Sequence, residues 1–499
     1  MAFSLVLTRA LVGTKAVPVQ VEVQLANGLP QFNLVGLPDA QVRESRERVR
    51  AAVTNCGFQF PARRITVNLA PANLPKQSNH FDLPIALGIL AASGQIPEHS
   101  LEQLECAGEL ALSGELRPFS GALPMAIAAT QMGRHLLISQ ASAAQASLCP
   151  QAKIFSANHL QQVCTHLSGS RQIIPDVAPE RSVPKVTYPD MSDVRGQQHG
   201  RRALEIAAAG GHHLLMAGPP GCGKTMLAER LAGIAPPLTE QEALELAALQ
   251  AIREEGGAHP EHWGVRPWRC PHHTATVVAM AGGGMQAEPG EISLAHCGFL
   301  HLDEMPEFDR RVLEVLREPM ESGMITVARA QRKVTYPARF QLVGTMNPCP
   351  CGYLGHACGR CHCTPEQVRR YSARLSGPLL DRIDLVVRLP SLTTREMDSA
   401  LPGENSASVC TRVLHAYHSQ QMRQGRLNSQ LRGEELLRYT PLDAPAHAFL
   451  NQAVHHFSLS ARAKQSLLRV ARTIADLQHK TAVAQVHIAE ALSFRNKPD

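Results

Sequence analysis

At 499 residues, 44% hydrophobic and 18% charged, the chain is longer than one core usually organises, so two or three domains are expected, and no run of about 18 apolar residues suits a membrane helix. Its net charge of +6 permits a nucleic-acid partner without demanding one. The N-terminal apolar run is broken by Arg9 and lacks the leading basic residues of a secretory signal. The expected compartment is therefore the cytoplasm, where a cysteine-rich stretch points to metal ligation rather than disulfides.

From residue 1 to 167, short apolar runs such as VPVQVEVQL, RRITVNL, DLPIALGILAA and HLLISQ alternate with Gly and Pro turns, the pattern of a compact mixed α/β domain. Residues 168–195 are rich in Pro and charge, keep no sustained period and read as a linker. Across 196–390, helix, strand, glycine loop and helix succeed one another as in a parallel-sheet nucleotide-binding core. Residues 391–499 turn helical. Their segment SARAKQSLLRVARTIADLQHK sets Leu467, Leu468, Ala471, Ile474 and Leu477 on one face, as a helical lid would.

The strongest chemical signal is an apolar strand, HLLMA, running into Gly218, Pro219, Pro220, Gly221, Cys222, Gly223, Lys224 and Thr225, then a helix of good formers. Glycines let backbone N–H groups turn inward around phosphate oxygens, Lys224 supplies a mobile cation, and Thr225 supplies a hydroxyl for Mg²⁺ in a site for ATP. A second apolar strand, GFLHL, ends in Asp303 and Glu304, suited to orienting Mg²⁺ and polarising the attacking water. A third, RFQLVGTM, ends in Asn347, either a holder of that water or an Asn opening a turn before Pro348. Arg374 and Arg382 follow. An arginine given to a neighbour's γ-phosphate implies an oligomer, and Arg382, in the tight Leu-Leu-Asp-Arg turn, is the better candidate, since Arg374 also suits a solvated helix face. Arg462, at a helix start, is placed to report the nucleotide state to the lid.

Taken together, these residues resemble the magnesium-chelatase-like AAA+ proteins and, within them, the YifB/ComM family of bacterial proteins linked to DNA uptake and recombination. The likeness runs over nearly the whole chain and rests on FNLVGLPDA at 32–40, VRESRERVRAAV at 42–53, ITVNLAPANLPK at 65–76, RCPHHTATVVAMAGGG at 269–284, PGEISLAHCGFLHLDEMPEF at 289–308 and NPCPCG at 347–352. It implies an α/β fold class: an N-terminal Lon-protease-like α/β domain, an AAA+ P-loop parallel-sheet core and a C-terminal helical lid. It further implies a homo-hexameric ring, with no membrane partner, that moves along DNA. In that frame His272–Ile292 is the helix-2 insert, whose Gly282 to Gly284 suit a mobile pore loop. The stretch Met324–Tyr336 alternates like a hairpin whose tip presents Arg329, Arg332 and Lys333, able to grip branched or single-stranded DNA by its backbone, the bland alternative being a solvated basic turn. Where Lon proteases carry a serine and a lysine, this sequence has about His80 and, after Gly121, Ala-Leu-Pro-Met, so the domain is read as non-proteolytic.

Five of the 13 cysteines fall between Cys349 and Cys363. Cys349, Cys351, Cys361 and Cys363 form two Cys-x-Cys pairs able to enclose a structural Zn²⁺, with Cys358, His356 and His362 as substitutes because that spacing is tight. The expectation is a hexameric ATP-driven DNA translocase, similar to branch-migration helicases, acting in recombination during natural transformation. The rivals are a magnesium-chelatase-type motor that drives metal insertion through a partner, and an ATP-dependent protease, weakened by the missing dyad.

Overall fold

The computed structural model describes residues 2–76, 78–177, 184, 186–252, 263–284, 287–329, 332–355, 359–391 and 403–495. They fall into two compact units, residues 1–184 with 239–264, and residues 185–238 with 265–499.

In the first unit, strands Ala2–Val12 and Lys15–Ala26 pair antiparallel from Ala2 opposite Leu25 to Val12 opposite Lys15. Val19, Val21, Val23 and Leu25 are buried at every second position, the period-two signature of a sheet with one face on a core. The seven-stranded sheet runs, in order, Gln31–Val35, Arg64–Ala70, Lys15–Ala26, Ala2–Val12, Leu104–Cys106, His135–Ser139, Ile154–Ala157. The apolar run DLPIALGILAA is a helix, Asp82–Ala92, buried nearly all round, as an apolar helix without a polar face must be. Arg9, the residue that argues against a signal segment, lies in this core. Its guanidinium meets Glu105 on the neighbouring strand at 2.5 and 2.8 Å and donates to the Ala16 carbonyl at 3.0 Å. His80 is a core histidine. Its Nε2 lies 2.8 Å from the Arg9 carbonyl and its Nδ1 3.0 Å from Ser78 Oγ, while burial pushes its pKa down to about 4.

One boundary differs from the sequence reading. Helix Glu240–Ala251, opened by a Thr239–Glu242 capping box, belongs to the first unit rather than to the 196–390 core: the Ala251 carbonyl accepts from the Gly121 N–H at 2.9 Å. The stretch 168–195 is packed at both flanks. Asp176 N–H donates to Ile154 O at 2.8 Å in the first unit, whereas in the second Met191 is fully buried and Arg230 donates to Asp190 O at 2.7 Å.

The second unit holds a five-stranded parallel sheet in the order Trp268–Arg269, Phe299–Leu302, Gln341–Met346, Leu214–Ala217, Leu385–Arg388. Its three central strands are apolar and buried, as parallel strands covered on both faces are. Helices Ser406–Gln424, Gly433–Tyr439, Ala444–His456, Ala461–Leu477 and Gln485–Ser493 follow. Leu467, Leu468, Ala471, Ile474 and Leu477 are buried in one core with sheet residues Leu214, Val343 and Leu385, so the helical segment is no separate body. A buried polar cluster joins the two parts. Asp384 takes hydrogen bonds from Ser466 at 2.5 Å and Arg469 at 3.0 Å and lies 3.0 Å from His212 Nδ1, whose Nε2 is 2.8 Å from Thr473 Oγ1. Burial alone would raise the Asp384 carboxyl, but the Arg469 charge and the His212 contact hold it well below the ordinary carboxylate range.

The insert forms helix Val277–Ala281 and a short hairpin of Gly282–Gly283 with Glu288–Pro289. Gly282 and Gly290 serve close approach, since a Cβ on either would strike backbone: Glu288 O for the first, Gly282 N for the second. Packing thus accounts for Gly282, one of the three glycines expected in a mobile loop, whereas Gly284 has open space where a Cβ would stand. Tyr336, on the following hairpin, donates to Ala287 O at 2.8 Å.

Candidate active site

The parallel sheet brings three strand ends to one edge. Gln341–Met346, carrying Asn347, lies between Leu214–Ala217, which leads into the phosphate loop, and Phe299–Leu302, which leads into the two acids. Ligands of open parallel sheets collect at such carboxyl ends.

Gly221 and Gly223 adopt φ of +77° and +90°, with open space where a Cβ would stand. That leaves a cradle walled by backbone, suited to phosphate oxygens. Helix Lys224–Ile234 starts directly after it, adding its N-terminal dipole. The Lys224 ammonium donates to Gly218 O at 2.7 Å, Pro219 O at 3.0 Å and Asn347 Oδ1 at 3.1 Å. Burial lowers its pKa, against the pull of nearby Asp303 and Glu304. All three acceptors are neutral, so an anionic phosphate is the better partner for this cation. Thr225 is exposed at the same helix start. Gln197, not singled out from the sequence, braces the loop from beneath by donating to Cys222 O at 3.1 Å and Pro390 O at 2.8 Å.

Glu304 has φ +51°, a strained left-handed geometry for a non-glycine residue, which turns the chain sharply away from its strand. The buried Thr345 hydroxyl ties the acids together, donating to Asp303 Oδ1 and accepting the Glu304 N–H at 3.1 Å. Nothing in the sequence marked Thr345 except its place two residues before Asn347. Thr345→Val, which keeps the shape and deletes the hydroxyl, is expected to lower ATP turnover about 10- to 100-fold, the equivalent of the roughly 1.5–3 kcal/mol of a hydrogen bond to a charged group. Phosphate release at saturating ATP measures it; unchanged turnover would remove Thr345 from the site.

The arginines separate into two groups. Arg374 donates to Pro306 O at 3.0 Å and Glu307 Oε2 at 2.9 Å, on the turn after Glu304, and its guanidinium stands 6.0 Å from the Tyr371 ring centre. Arg382 and Arg462 instead meet at Glu321: Arg382 pairs with Oε2, Arg462 lies 3.5 Å from Oε1, and Arg432 donates to the Glu321 carbonyl. Hydrogen bonding from Arg382 holds the Glu321 carboxyl below its usual value. The convergence on Glu321 was invisible in sequence, because its members lie on four distant segments.

Strands Met324–Arg329 and Arg332–Pro337 pair with Arg329 opposite Arg332, and Lys333 is exposed beside them. The Arg329 and Arg332 side chains, and Ala330 and Gln331, lie outside the described residues.

Cys349, Cys351, Cys361 and Cys363 converge with all four sulfurs within 4.8 Å of one another. Cys349 Sγ is 3.3 Å from Cys351 Sγ and 3.8 Å from Cys361 Sγ, and Cys351 Sγ is 3.6 Å from Cys361 Sγ. Tetrahedral Zn²⁺ with sulfur at about 2.3 Å requires sulfur separations of about 3.8 Å, so this donor set fits it. The Tyr353 backbone and Cys349 lower the Cys351 thiol to about 6. His356 and Cys358 lie outside the described residues, and His362 is exposed.

Family profiles match the chain in three segments: "Magnesium chelatase, subunit ChlI" over 190–397, "Subunit ChlI of Mg-chelatase" over 21–142 and "Magnesium chelatase, subunit ChlI C-terminal" over 403–495. The chain is 48% identical to the YifB protein of Salmonella typhimurium, covering 99% of this chain and 97% of that one. It is 46% identical to the competence protein ComM of Haemophilus influenzae, covering 99% and 98%. To the magnesium-chelatase 38 kDa subunit of Rhodobacter capsulatus it is 26% identical, covering 62% of this chain and 88% of that one.

Proposed function

The chain belongs to the magnesium-chelatase-like family of AAA+ ATPases that includes YifB and ComM, and from that membership we propose that it is a hexameric ATP-driven motor acting on branched or single-stranded DNA. The observation that carries the ATPase half is the meeting, at the carboxyl ends of three adjacent strands, of two hydrogen-bonded sets, Lys224 with Asn347 and Asp303 with Thr345 and Glu304. Thr225 and Asp303 supply hard oxygen donors for Mg²⁺, which when bound neutralises charge on the transferring phosphoryl oxygens. Lys224 exchanges its carbonyl partners for phosphate oxygens. Glu304 takes a proton from the attacking water, and Asn347 orients that water. Arg382 serves a neighbouring subunit's nucleotide, Arg462, which shares Glu321 with it, reports the nucleotide state to the helical lid, and Arg374 steadies the acidic turn. The remaining metal of the proposal is one structural Zn²⁺ on the four cysteines.

The DNA half is supported by the strand pairing that sets Arg329 opposite Arg332 with Lys333 next along the strand, and by the competence assignment of the relative ComM. Contacts of this kind read phosphate rather than base sequence, and in this reading the work done is heteroduplex extension when incoming DNA is recombined. The competing reading, a motor for metal insertion through a partner protein, is favoured by the chelatase profiles on all three segments. ATP turnover with and without a four-way DNA junction separates the two. The junction is expected to stimulate turnover, and Lys333→Ala to lower the ratio of stimulated to unstimulated rates severalfold. Lys224→Ala is the inactive control. No response to any DNA would favour the chelatase-type motor.

A further inference from the structure

The cysteine cluster does more than close a surface loop, because the arc leading into it is packed on the phosphate loop. A Cβ on Gly352 would lie 2.8 Å from Pro220 Cγ, 2.9 Å from Pro220 Cδ and 3.8 Å from Asn347 Cγ. Gly352 also has φ +82°, so both its backbone and its neighbours demand glycine. Its N–H donates to the Cys349 carbonyl at 2.9 Å, closing a turn around buried Cys349. At the other end of the arc, Asn347 accepts from Lys224. Residues 347–352 therefore touch the nucleotide cradle at Pro220 and at Lys224, yet no strand or helix holds them. An irregular arc of this kind carries an ordering cost that something must offset. Cys361 and Cys363 reach it from the segment before helix Pro365–Ser372, whose Tyr371 and following Arg374 stand by the acidic turn.

We propose that a Zn²⁺ bound by Cys349, Cys351, Cys361 and Cys363 is an integral support of the nucleotide site, clamping the Asn347–Gly352 arc against Pro220 and Lys224 so that nucleotide affinity depends on the metal. The inference rests on the ATPase reading and is independent of what the motor acts on. It assigns the cluster a role in ATP binding rather than in DNA contact or subunit assembly. The metal takes no part in the chemistry of phosphoryl transfer. It fixes the backbone from which Asn347 and, through Gly352, Pro220 are positioned.

The test uses the full chain and two readouts, metal content by atomic emission and affinity for a fluorescent ATP analogue. Wild type is expected to carry about one zinc per chain. Stripping it with a chelator is expected to weaken analogue binding roughly ten- to hundredfold, with recovery on adding Zn²⁺ but not Mg²⁺. The double change Cys361→Ser and Cys363→Ser should reproduce the loss, and Gly352→Ala should weaken binding while keeping the metal. If the Ser variant fails to fold, seen as lost circular dichroism, the chelation and refilling of wild type still decide. Wild type free of zinc after chelator-free purification overturns the inference, as does stripped protein that binds within twofold of the filled form. If instead Lys224→Ala binds the analogue as wild type does, the ATPase reading is what has failed.

Discussion

Glu304→Gln is expected to lower ATP turnover roughly 10²–10⁴-fold, the usual worth of a positioned general base, while nucleotide affinity stays within a few-fold of wild type. The two effects separate because of where Glu304 stands. Its backbone, not its carboxylate, is what Thr345 holds, so the amide variant keeps the strained turn and the Asp303 contact. Gln preserves volume and hydrogen bonding but cannot accept the proton of the attacking water. Steady-state phosphate release and a fluorescent-nucleotide titration on one preparation measure both quantities. Turnover within threefold of wild type would move the base elsewhere, with Glu307, three residues along the same turn, the next carboxylate to examine.

The second large effect concerns stability. Arg9→Met is expected to destabilise the first unit by roughly 3–5 kcal/mol, because it leaves Glu105 as an uncompensated charge in a buried position. The desolvation of two ions makes the intact pair itself worth little, so the double variant Arg9→Met with Glu105→Leu is expected to recover most of the loss. Urea unfolding of the three proteins tests this. Equal destabilisation of single and double variants would show that packing of the guanidinium stem, not the orphaned charge, sets the cost.

These expectations draw on two kinds of information with different legibility. The phosphate loop could be read directly, since strand, glycines, lysine and helix are consecutive and each follows from local backbone demands. The same holds for the acidic strand and for Asn347, whose position between the other two strands follows from parallel topology. The cysteine quartet was readable because its spacing is itself the ligand pattern. Thr345, Gln197 and Glu321 were not readable, since each acts by reaching a residue more than twenty positions away and none belongs to a motif. The helix Glu240–Ala251 was misplaced for a similar reason. Its own capping and periodicity are those of any helix, and only tertiary contacts, such as that with Gly121, say which unit owns it. Pro and charge in 168–195 suggested a linker, and the border between the two units falls there, but the hydrogen bonds that fasten its two flanks are tertiary and left no mark in the local pattern. Arg382 was preferred over Arg374 from turn shape alone, whereas the two side chains have gone to different carboxylates, Glu321 and Glu307.

The buried meeting of Asp384, His212, Ser466, Arg469 and Thr473 bears on what a shortened chain would be. A polypeptide stopped before the C-terminal helices would keep every residue of the phosphate loop, yet it would strip Asp384 of Ser466 and Arg469 and His212 of Thr473, and would lay open a wide apolar wall. Such a fragment would aggregate rather than hydrolyse nucleotide. In hydrogen exchange, amides of Leu385–Arg388 and of helix Ala461–Leu477 should open together, as a single cooperative block, rather than as a catalytic body with a cover that lifts away.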